Sequence, residues 1–166
     1  MSGRPMRVEL HGGFRHDLRP LFELAEDSAT QLDSYIGLGR VLVTMAGDEI
    51  VGHLQLVHAG RSGELEIKNM AVRESHQGRG IGRMLVGAAI ELATAESAGR
   101  LLVSTATAGI GNLRFYQRLG FRMLSIERDA FTAATGYPAA ILIDGIELRD
   151  RVWLDLHVDP GPKGPL

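Results

Sequence analysis

The residues with the clearest chemical potential form a glycine-rich turn, in which three glycines alternate with other residues from Gly78 to Gly82. Glycine lets the backbone turn sharply and approach a ligand closely. A helical pattern begins directly after the turn, and a helix start presents unpaired N–H donors and the positive end of its dipole. Arg73, Arg79 and Arg83 add positive charge nearby. The pattern predicts an anion site, in particular a pyrophosphate site, where a strand passes into a helix.

Two familiar phosphate-binding motifs do not match this turn. A Walker A loop requires Gly-Lys at a fixed offset, which neither Gly78 nor Gly80 has. A dinucleotide fingerprint requires a third glycine where this chain has Arg83 or Leu85. The dinucleotide motif also follows the first strand of its fold, whereas this turn follows the fourth candidate strand.

Composition limits the classes of protein to be considered. The chain has 166 residues, 45% hydrophobic and 23% charged, which suits one globular domain. A net charge of −2 argues against nucleic-acid binding, and the lack of cysteine excludes disulfides and thiolate metal sites. We see neither an apolar signal-peptide run nor an 18-residue membrane span, and we expect a cytoplasmic protein without a metal.

The segments that precede the turn read as a strand, two helices and a hairpin, at residues 7–10, 17–25, 28–36 and 40–57. Asp17 is the predicted N-cap of the first helix. Gly52 predicts a bulge or a close backbone approach in the second hairpin strand. The alternatives for His53 and His58 are a ligand or base and a solvent-facing strand residue, and because the sequence shows no partner for either, we expect both to be solvent-facing.

The pattern of residues 64–158 predicts a βαβ unit followed by a short helix and two strands. A strand over 64–72 leads into the turn, a helix runs from Ile81 to near Gly99, and Leu101–Thr105 is a parallel buried strand. Asn112 is a candidate N-cap for a helix over 113–119. Strands at 121–126 and 147–158 follow, which gives a single domain over 1–158 and an irregular tail over 159–166.

Two segments resemble the hallmarks of the GNAT superfamily of N-acetyltransferases. The run from Gln77 to Gly82 is similar to its Gln/Arg-x-x-Gly-x-Gly signature, with Asn-Met-Ala-Val just upstream. Phe115–Phe121 resembles its second hallmark, and the similarity covers about residues 6–158. Segments 125–129 and 148–152 are similar to those of one bacterial branch. The resemblance implies an α/β fold: a GNAT-like mixed, mostly antiparallel central sheet with a splayed parallel strand pair, flanked by helices.

The resemblance also implies that acetyl-CoA is the co-substrate. Its pyrophosphate would lie on the backbone amides of the turn and near the start of the following helix, at Gln77, Gly78, Arg79, Gly80, Ile81, Gly82 and Arg83. Its pantetheine arm would pair like an extra strand with Met70, Ala71 and Val72. The alternative for the glycines is a tight turn without a ligand.

Two residues correspond to catalytic positions of the family. Glu66 matches the position of a general base, although it shares its strand face with Glu64 and Lys68 and can also be read as a solvent-facing glutamate. Tyr116 matches the general acid that protonates the leaving sulfur, and its alternative is a core aromatic residue. Gly109 stands where many members have a cofactor-contacting asparagine. Asn112 is therefore either a substitute cofactor contact or only a helix cap.

The function implied is an acetyl-CoA-dependent N-acetyltransferase acting on a primary amine of a small molecule, peptide or protein. The alternatives are a CoA-sensing module without turnover and an unrelated phosphate-binding domain. The acceptor site is expected within 17–39 and 129–147, where Tyr35, Phe131 and Tyr137 are candidate pocket residues. The acidic residues of the first two helices are expected to form a solvated face, namely Glu23, Glu26, Asp27 and Asp33. We expect a monomer or a homodimer, with the Trp153 face of the last strand as a candidate contact.

Overall fold

The structure is a computed structural model and describes residues 5–159. The predicted tail lies outside the described residues except for Asp159. The strands are β1 Met6–Leu10, β2 Arg40–Ala46, β3 Glu49–His58, β4 Glu64–Val72, β5 Arg100–Ala106, β6 Arg122–Glu127, β7 Leu142–Ile143, β8 Ile146–Glu147 and β9 Arg151–His157. The α-helices are α1 Arg19–Glu23, α2 Ala29–Tyr35, α3 Ile81–Ala95 and α4 Ile110–Arg118. Three 3-10 turns cover Arg15–Leu18, Glu74–His76 and Ala133–Thr135.

Seven strands form the main sheet in the order β1-β2-β3-β4-β5-β9-β6, and β7 and β8 form a separate small hairpin. All neighbours in the main sheet are antiparallel except β4 and β5, which are parallel. The mixed, mostly antiparallel sheet predicted from the resemblance is confirmed.

The parallel pair separates half-way along its length. Residues 64–67 of β4 pair with residues 100–103 of β5, and no pairing between these strands continues beyond Ile67 and Val103. Each strand nevertheless continues and stays paired on its other edge, β4 with β3 and β5 with β9. The inner edges therefore keep main-chain N–H and C=O groups without strand partners, which need another partner.

A bulge in β4 lies at the point of separation. Gln55 of β3 pairs with Asn69 and Leu56 pairs with Ile67, so Lys68 is an extra residue in β4. Both Lys68 and Asn69 reach Tyr35 of α2: the Lys68 Nζ lies 4.9 Å from the ring centroid and the Asn69 Nδ2 3.0 Å from the hydroxyl. Strict alternation would send these neighbours to opposite faces, so the bulge places both at the α2 side of the sheet.

Two apolar cores cover the sheet. One packs α3 and α4 against the strands, with Ile81, Leu85 and Ala89 fully buried on α3. Val86 and Ala93 of the same helix are also buried, whereas Met84 is 37% exposed. The second core packs Leu18, Phe22, Leu32 and other side chains of the first helices against β2.

Two predicted helix caps are wrong. Asp17 lies inside the first 3-10 turn, and α1 begins after Leu18 without a side-chain cap. Helix α4 begins three residues earlier than predicted, after Gly109, so Asn112 lies within it. Ser28, by contrast, caps α2 by accepting a hydrogen bond from the Gln31 N–H at 3.2 Å. Asn and Asp side chains have several local hydrogen-bonding options, and tertiary packing decides which one is used.

The prediction for His53 is also wrong, whereas that for His58 is confirmed. His58 is exposed, but His53 is fully buried and packs on Phe22 with a centroid distance of 4.3 Å. Gly52 makes the close approach that was predicted, because a Cβ there would lie 3.0 Å from Cγ2 of Ile81. Within residues 5–159, no helix has the length and apolarity needed to cross a membrane.

Candidate active site

A cavity of about 1070 Å³ opens where β4 and β5 separate. Its walls are residues 67–72 of β4, residues 103–106 of β5, the glycine-rich turn, one side of α4 and several side chains from the acceptor segments predicted from the sequence. The elements that the sequence marked as chemically important therefore border one space.

The turn has the backbone conformation that its glycines permit. Gly78 and Gly80 have φ of 77° and 79°, in the left-handed region that disfavours residues with a Cβ. Gly80 is the N-cap residue of α3. Gly82 faces Phe115 of α4, where a Cβ would lie 3.2 Å from the ring. The turn thus exposes the N-terminal amides of a 15-residue helix to the cavity.

The arginines near the turn have different destinations. Arg83 lines the cavity, whereas Arg79 is exposed and is not one of the lining residues. Arg73 donates a hydrogen bond from Nε to the backbone carbonyl of Ile50 at 2.8 Å. It therefore ties the start of the turn to β3 and does not line the cavity. His76 lines the cavity and was not selected from the sequence, in which an isolated histidine gives no signal.

The strand segment predicted to pair with pantetheine, residues 70–72, lies along the cavity. Met70, Ala71 and Val72 all line it, and they belong to the part of β4 that has no partner on the β5 side. Gln77 donates a hydrogen bond from Nε2 to the carbonyl of Val72 at 3.1 Å, which ties the turn to the end of β4.

Tyr116 combines a packed ring with access to the cavity. Its ring makes edge-on contacts with Phe115 and Phe121 at centroid distances of 5.1 and 5.5 Å. The residue lines the cavity, and its hydroxyl has no hydrogen-bond partner among residues 5–159. Burial raises the pKa of the Tyr116 phenol, so the group stays protonated over the physiological range. The side chain is both a core aromatic residue and an available proton donor.

Glu66 lies beside the cavity, not in its wall. Its side chain is 14% exposed, and burial raises its pKa, although Lys68 at 3.9 Å and the charge of Arg151 oppose the shift. Lys68 does line the cavity. Glu64, the alternative on the same face, is ion-paired with Arg100 at 2.8 Å. Of these two carboxylates, Glu66 has the weaker ion-pair partner, since its distance to Lys68 is longer than that between Glu64 and Arg100.

Asn112 faces the cavity from the first turn of α4. Its Nδ2 lies 3.4 Å from the hydroxyl of Thr105 on β5, and both residues line the cavity. Its position favours the ligand-contact alternative over the helix-cap alternative that the sequence left open.

Asn69 of β4 and His53 of β3 form a buried polar pair. The Asn69 Oδ1 lies 2.7 Å from Nε2 of His53, and its Nδ2 donates to the carbonyl of Phe22 at 3.2 Å and to the hydroxyl of Tyr35. Burial lowers the pKa of His53 to about 4, so the ring is neutral near pH 7. Because these partners come from β3, α1 and α2, no sequence spacing could reveal them.

The far end of the cavity contains the predicted aromatic residues Tyr35, Phe131 and Tyr137. Glu26 lines the same wall and accepts hydrogen bonds from Tyr35 at 3.1 Å and from Tyr137 at 2.9 Å. The expected solvated-face role is therefore wrong for Glu26. Glu23 and Asp33 do lie on the surface, and Arg19 pairs with both.

The described residues offer no cluster of three or more His, Cys, Asp or Glu side chains arranged to hold a metal ion. The perturbed groups and the free strand edges instead suit an organic ligand with an anionic end and an extended arm that can pair with backbone.

Comparisons with known proteins agree with this geometry. Residues 12–121 match the family model described as the Acetyltransferase (GNAT) family. The chain is 36% identical over 158 residues to the uncharacterized N-acetyltransferase YvbK of Bacillus subtilis (strain 168), covering 94% of this chain and 100% of that one.

Two similar crystal structures contain the cofactor. A Bacillus subtilis acetyltransferase in complex with CoA is 35% identical with a TM-score of 0.84, over 93% of this chain and 100% of that one. A GNAT family acetyltransferase from Elizabethkingia anophelis with acetyl-CoA bound is 29% identical with a TM-score of 0.80, over 92% of this chain and 97% of that one.

Proposed function

The chain belongs to the GNAT family of acetyltransferases, and on this premise we propose that it transfers the acetyl group of acetyl-CoA directly to a primary amine. The observation that carries the proposal is the separation of β4 from β5. It leaves a free strand edge that begins after Ile67, next to Glu66 in the chain, and leads towards the glycine-rich turn along a cavity that Tyr116 also lines.

This geometry supports the residues that the family resemblance assigns to acetyl-CoA. The turn from Gln77 to Gly82 would receive the pyrophosphate on backbone N–H groups, with Arg83 adding charge and Asn112 a polar contact. Each charge-assisted hydrogen bond contributes about 1.5–3 kcal/mol. Met70 to Val72 would pair with the pantetheine amides, as a strand pairs with a sheet edge. The similar structures with bound CoA and acetyl-CoA support this assignment.

The first chemical requirement is an unprotonated amine. A primary amine with a pKa near 10.4 is unprotonated only about once in a few thousand molecules at neutral pH, a cost of roughly 4–5 kcal/mol. Glu66 is the proposed general base, because its raised pKa makes the carboxylate a better proton acceptor than a fully solvated one. Since Glu66 lies beside the cavity rather than in its wall, the proton would pass through a water molecule.

The second requirement is a proton for the leaving sulfur. The amine nitrogen forms a bond to the thioester carbonyl carbon, the carbon–sulfur bond breaks, and the products are an N-acetyl amide and the CoA thiol. Tyr116 is the proposed donor of the thiol proton, because its phenol lines the cavity, stays protonated and has no hydrogen-bond partner among the described residues. The amine nitrogen gives up two protons in all: the first, from the bound ammonium, would leave through Glu66 to solvent, and the second, released as the amide forms, would restore the Tyr116 phenol.

The test measures CoA release with a thiol reagent across alkylamines, amino acids and peptides, and acetyl-CoA binding by calorimetry. We expect acetyl-CoA to bind and at least one amine to release CoA. Binding without release across the whole panel would instead identify a CoA sensor. Failure of CoA to bind or to raise the melting temperature would contradict the assignment of the cavity to acetyl-CoA.

A further inference from the structure

The strongest feature that the catalytic scheme does not use is the carboxylate of Glu26. It lies in the segment between α1 and α2, half-buried in the cavity wall. Each of its oxygens accepts a hydrogen bond from a phenol, Oε1 from Tyr35 and Oε2 from Tyr137. Because these two tyrosines belong to segments 102 residues apart in sequence, the tertiary fold assembles this arrangement. The carboxylate is held in one orientation by two partners that supply no charge.

Two cationic side chains of the same cavity wall form ion pairs with other carboxylates and not with Glu26. Lys68 lies 3.9 Å from Glu66, and Arg151 lies 3.1 Å from Glu127 while its guanidinium stacks 4.9 Å from the Phe131 ring centroid. No Lys, Arg or His nitrogen in the described part of the chain lies within 4.0 Å of the Glu26 carboxylate. Lys68 lies over the ring of Tyr35, 4.9 Å from its centroid, but does not pair with Glu26. A partly desolvated carboxylate with no cation at ion-pair distance favours binding of a cation.

The position of Glu26 places that cation near the reacting end of the cavity. The hydroxyl of Tyr35 is shared between Glu26 and Asn69 of β4, so the Glu26 Oε1 lies within about 6 Å of the Asn69 amide nitrogen. Asn69 follows the bulge at which β4 leaves β5. The glycine-rich turn lies at the opposite end of this free segment of β4. Phe131 packs edge-on against Tyr137 at a centroid distance of 5.0 Å, and Ile143 and Leu148 add further apolar side chains to the lining of the same cavity.

We propose that Glu26 is the acceptor-binding residue of this enzyme and that it selects a primary alkylammonium group carried on a compact apolar body. The inference rests on the proposed function and names its acceptor class. Glu26 binds the ammonium through a charge-assisted hydrogen bond, and Tyr35 and Tyr137 orient the carboxylate. The apolar wall accommodates the carbon skeleton, and Glu66 accepts the proton once the amine is bound. A neutral molecule of the same shape lacks the main attraction.

The experiment compares two probes of nearly identical shape, phenethylamine and 2-phenylethanol, by calorimetry at pH 7 in the presence of excess CoA. We expect the amine to bind at least 10-fold more tightly than the alcohol. Glu26→Gln should weaken amine binding about 10- to 100-fold, as expected for loss of one charge-assisted hydrogen bond. The alcohol affinity should change less than about twofold in the same variant.

Glu23→Gln is the matched control, because it removes the same charge from the exposed partner of Arg19, outside the cavity. It should leave both affinities unchanged. Equal affinity for the two probes, an equal loss of both in Glu26→Gln, or no measurable amine binding would each overturn the inference. Since no turnover is needed, absence of CoA release contradicts only the proposed function, whereas absence of charge discrimination contradicts only the acceptor assignment.

Discussion

Asn69 on β4 donates a hydrogen bond from Nδ2 to the hydroxyl oxygen of Tyr35 on α2, over 3.0 Å. The same hydroxyl donates to Oε1 of Glu26 at 3.1 Å. One tyrosine hydroxyl therefore connects the strand proposed to carry acetyl-CoA with the carboxylate proposed to bind the amine. This connection makes Tyr35 and Tyr137 distinguishable, because among the described residues Tyr137 donates a hydrogen bond to Glu26 but none joins it to Asn69.

Tyr35→Phe and Tyr137→Phe are expected to share one effect and to differ in another. Both remove a hydrogen bond to Glu26, so both should weaken amine binding. Only Tyr35→Phe also deprives the buried Asn69 amide of a partner, which should lower the free energy of unfolding by about 1–2 kcal/mol more than Tyr137→Phe. Urea unfolding and amine calorimetry measure the two effects. Equal destabilisation by the two substitutions would contradict the linking role of Tyr35.

Tyr116→Phe should lower kcat by about 100-fold or more, since positioned proton transfer contributes 10²–10⁴-fold. The phenylalanine ring keeps the contacts with Phe115 and Phe121, so the melting temperature and the acetyl-CoA affinity should stay close to those of the parent. Thiol release and calorimetry separate the two readouts. A variant with parental kcat would remove Tyr116 from the mechanism.

Gly80→Ala should weaken acetyl-CoA binding and destabilise the protein by about 1 kcal/mol, because φ of 79° is unfavourable for a residue with a Cβ. Gly87→Ala is the matched control on the same helix. A Cβ at Gly87 would meet no atom within 4 Å, and alanine in a helix is favoured over glycine by about 0.5–1 kcal/mol. Thermal unfolding with and without acetyl-CoA measures both effects. If the two variants behave alike, the left-handed conformation of Gly80 is not important for the turn.

The pH profile of kcat should show the ionisation of the Glu66 carboxyl group. Burial raises the pKa of this carboxyl group, and only its ionised form can accept a proton. As the pH falls through this raised pKa, kcat should decline, and this acidic limb should lie above the usual carboxyl range. Glu66→Gln should have a lower kcat and no such limb. An unchanged acidic limb in the variant would assign the base to another group.

His53 should make the protein sensitive to mild acid. Burial lowers its folded pKa to about 4, whereas the unfolded chain has a histidine pKa near 6.5. Between these values the unfolded state binds a proton that the folded state does not, so stability present above about pH 6.5 is lost as the pH falls towards 4. The loss amounts to about 3 kcal/mol.

His53→Gln removes the titratable imidazole while retaining a side chain able to donate a hydrogen bond to Asn69. Urea unfolding at several pH values should show a shallower dependence for the variant between pH 6.5 and 4, whatever its absolute stability. Parallel curves for the two proteins would show that the pKa of His53 is the same in the folded and unfolded states, which would contradict the prediction.

Much of the architecture could be predicted from local patterns. The hairpin, the β4–turn–α3 unit and the parallel strand β5 were all indicated by apolar periodicity and by glycines, which act through the backbone of their own segment. The resemblance to the two family hallmarks, rather than these patterns, pointed to Met70, Ala71, Val72 and Tyr116, all of which line the cavity. The two wrong caps, Asp17 and Asn112, show where local preference fails, since packing selects one of several hydrogen-bonding options for such side chains.

The acceptor end could not be predicted in the same way. Glu26 reads as one of four scattered acidic residues, and His53 as an ordinary strand residue, until α2, β3, β4 and the Phe131–Tyr137 segment come together. The sequence by itself determined the strand, the turn and the helix proposed to hold acetyl-CoA, because backbone conformation and helix amphipathicity are properties of contiguous residues. Only the tertiary structure decided which carboxylates are buried, paired or unmatched, because burial and charge pairing depend on residues far apart in the chain.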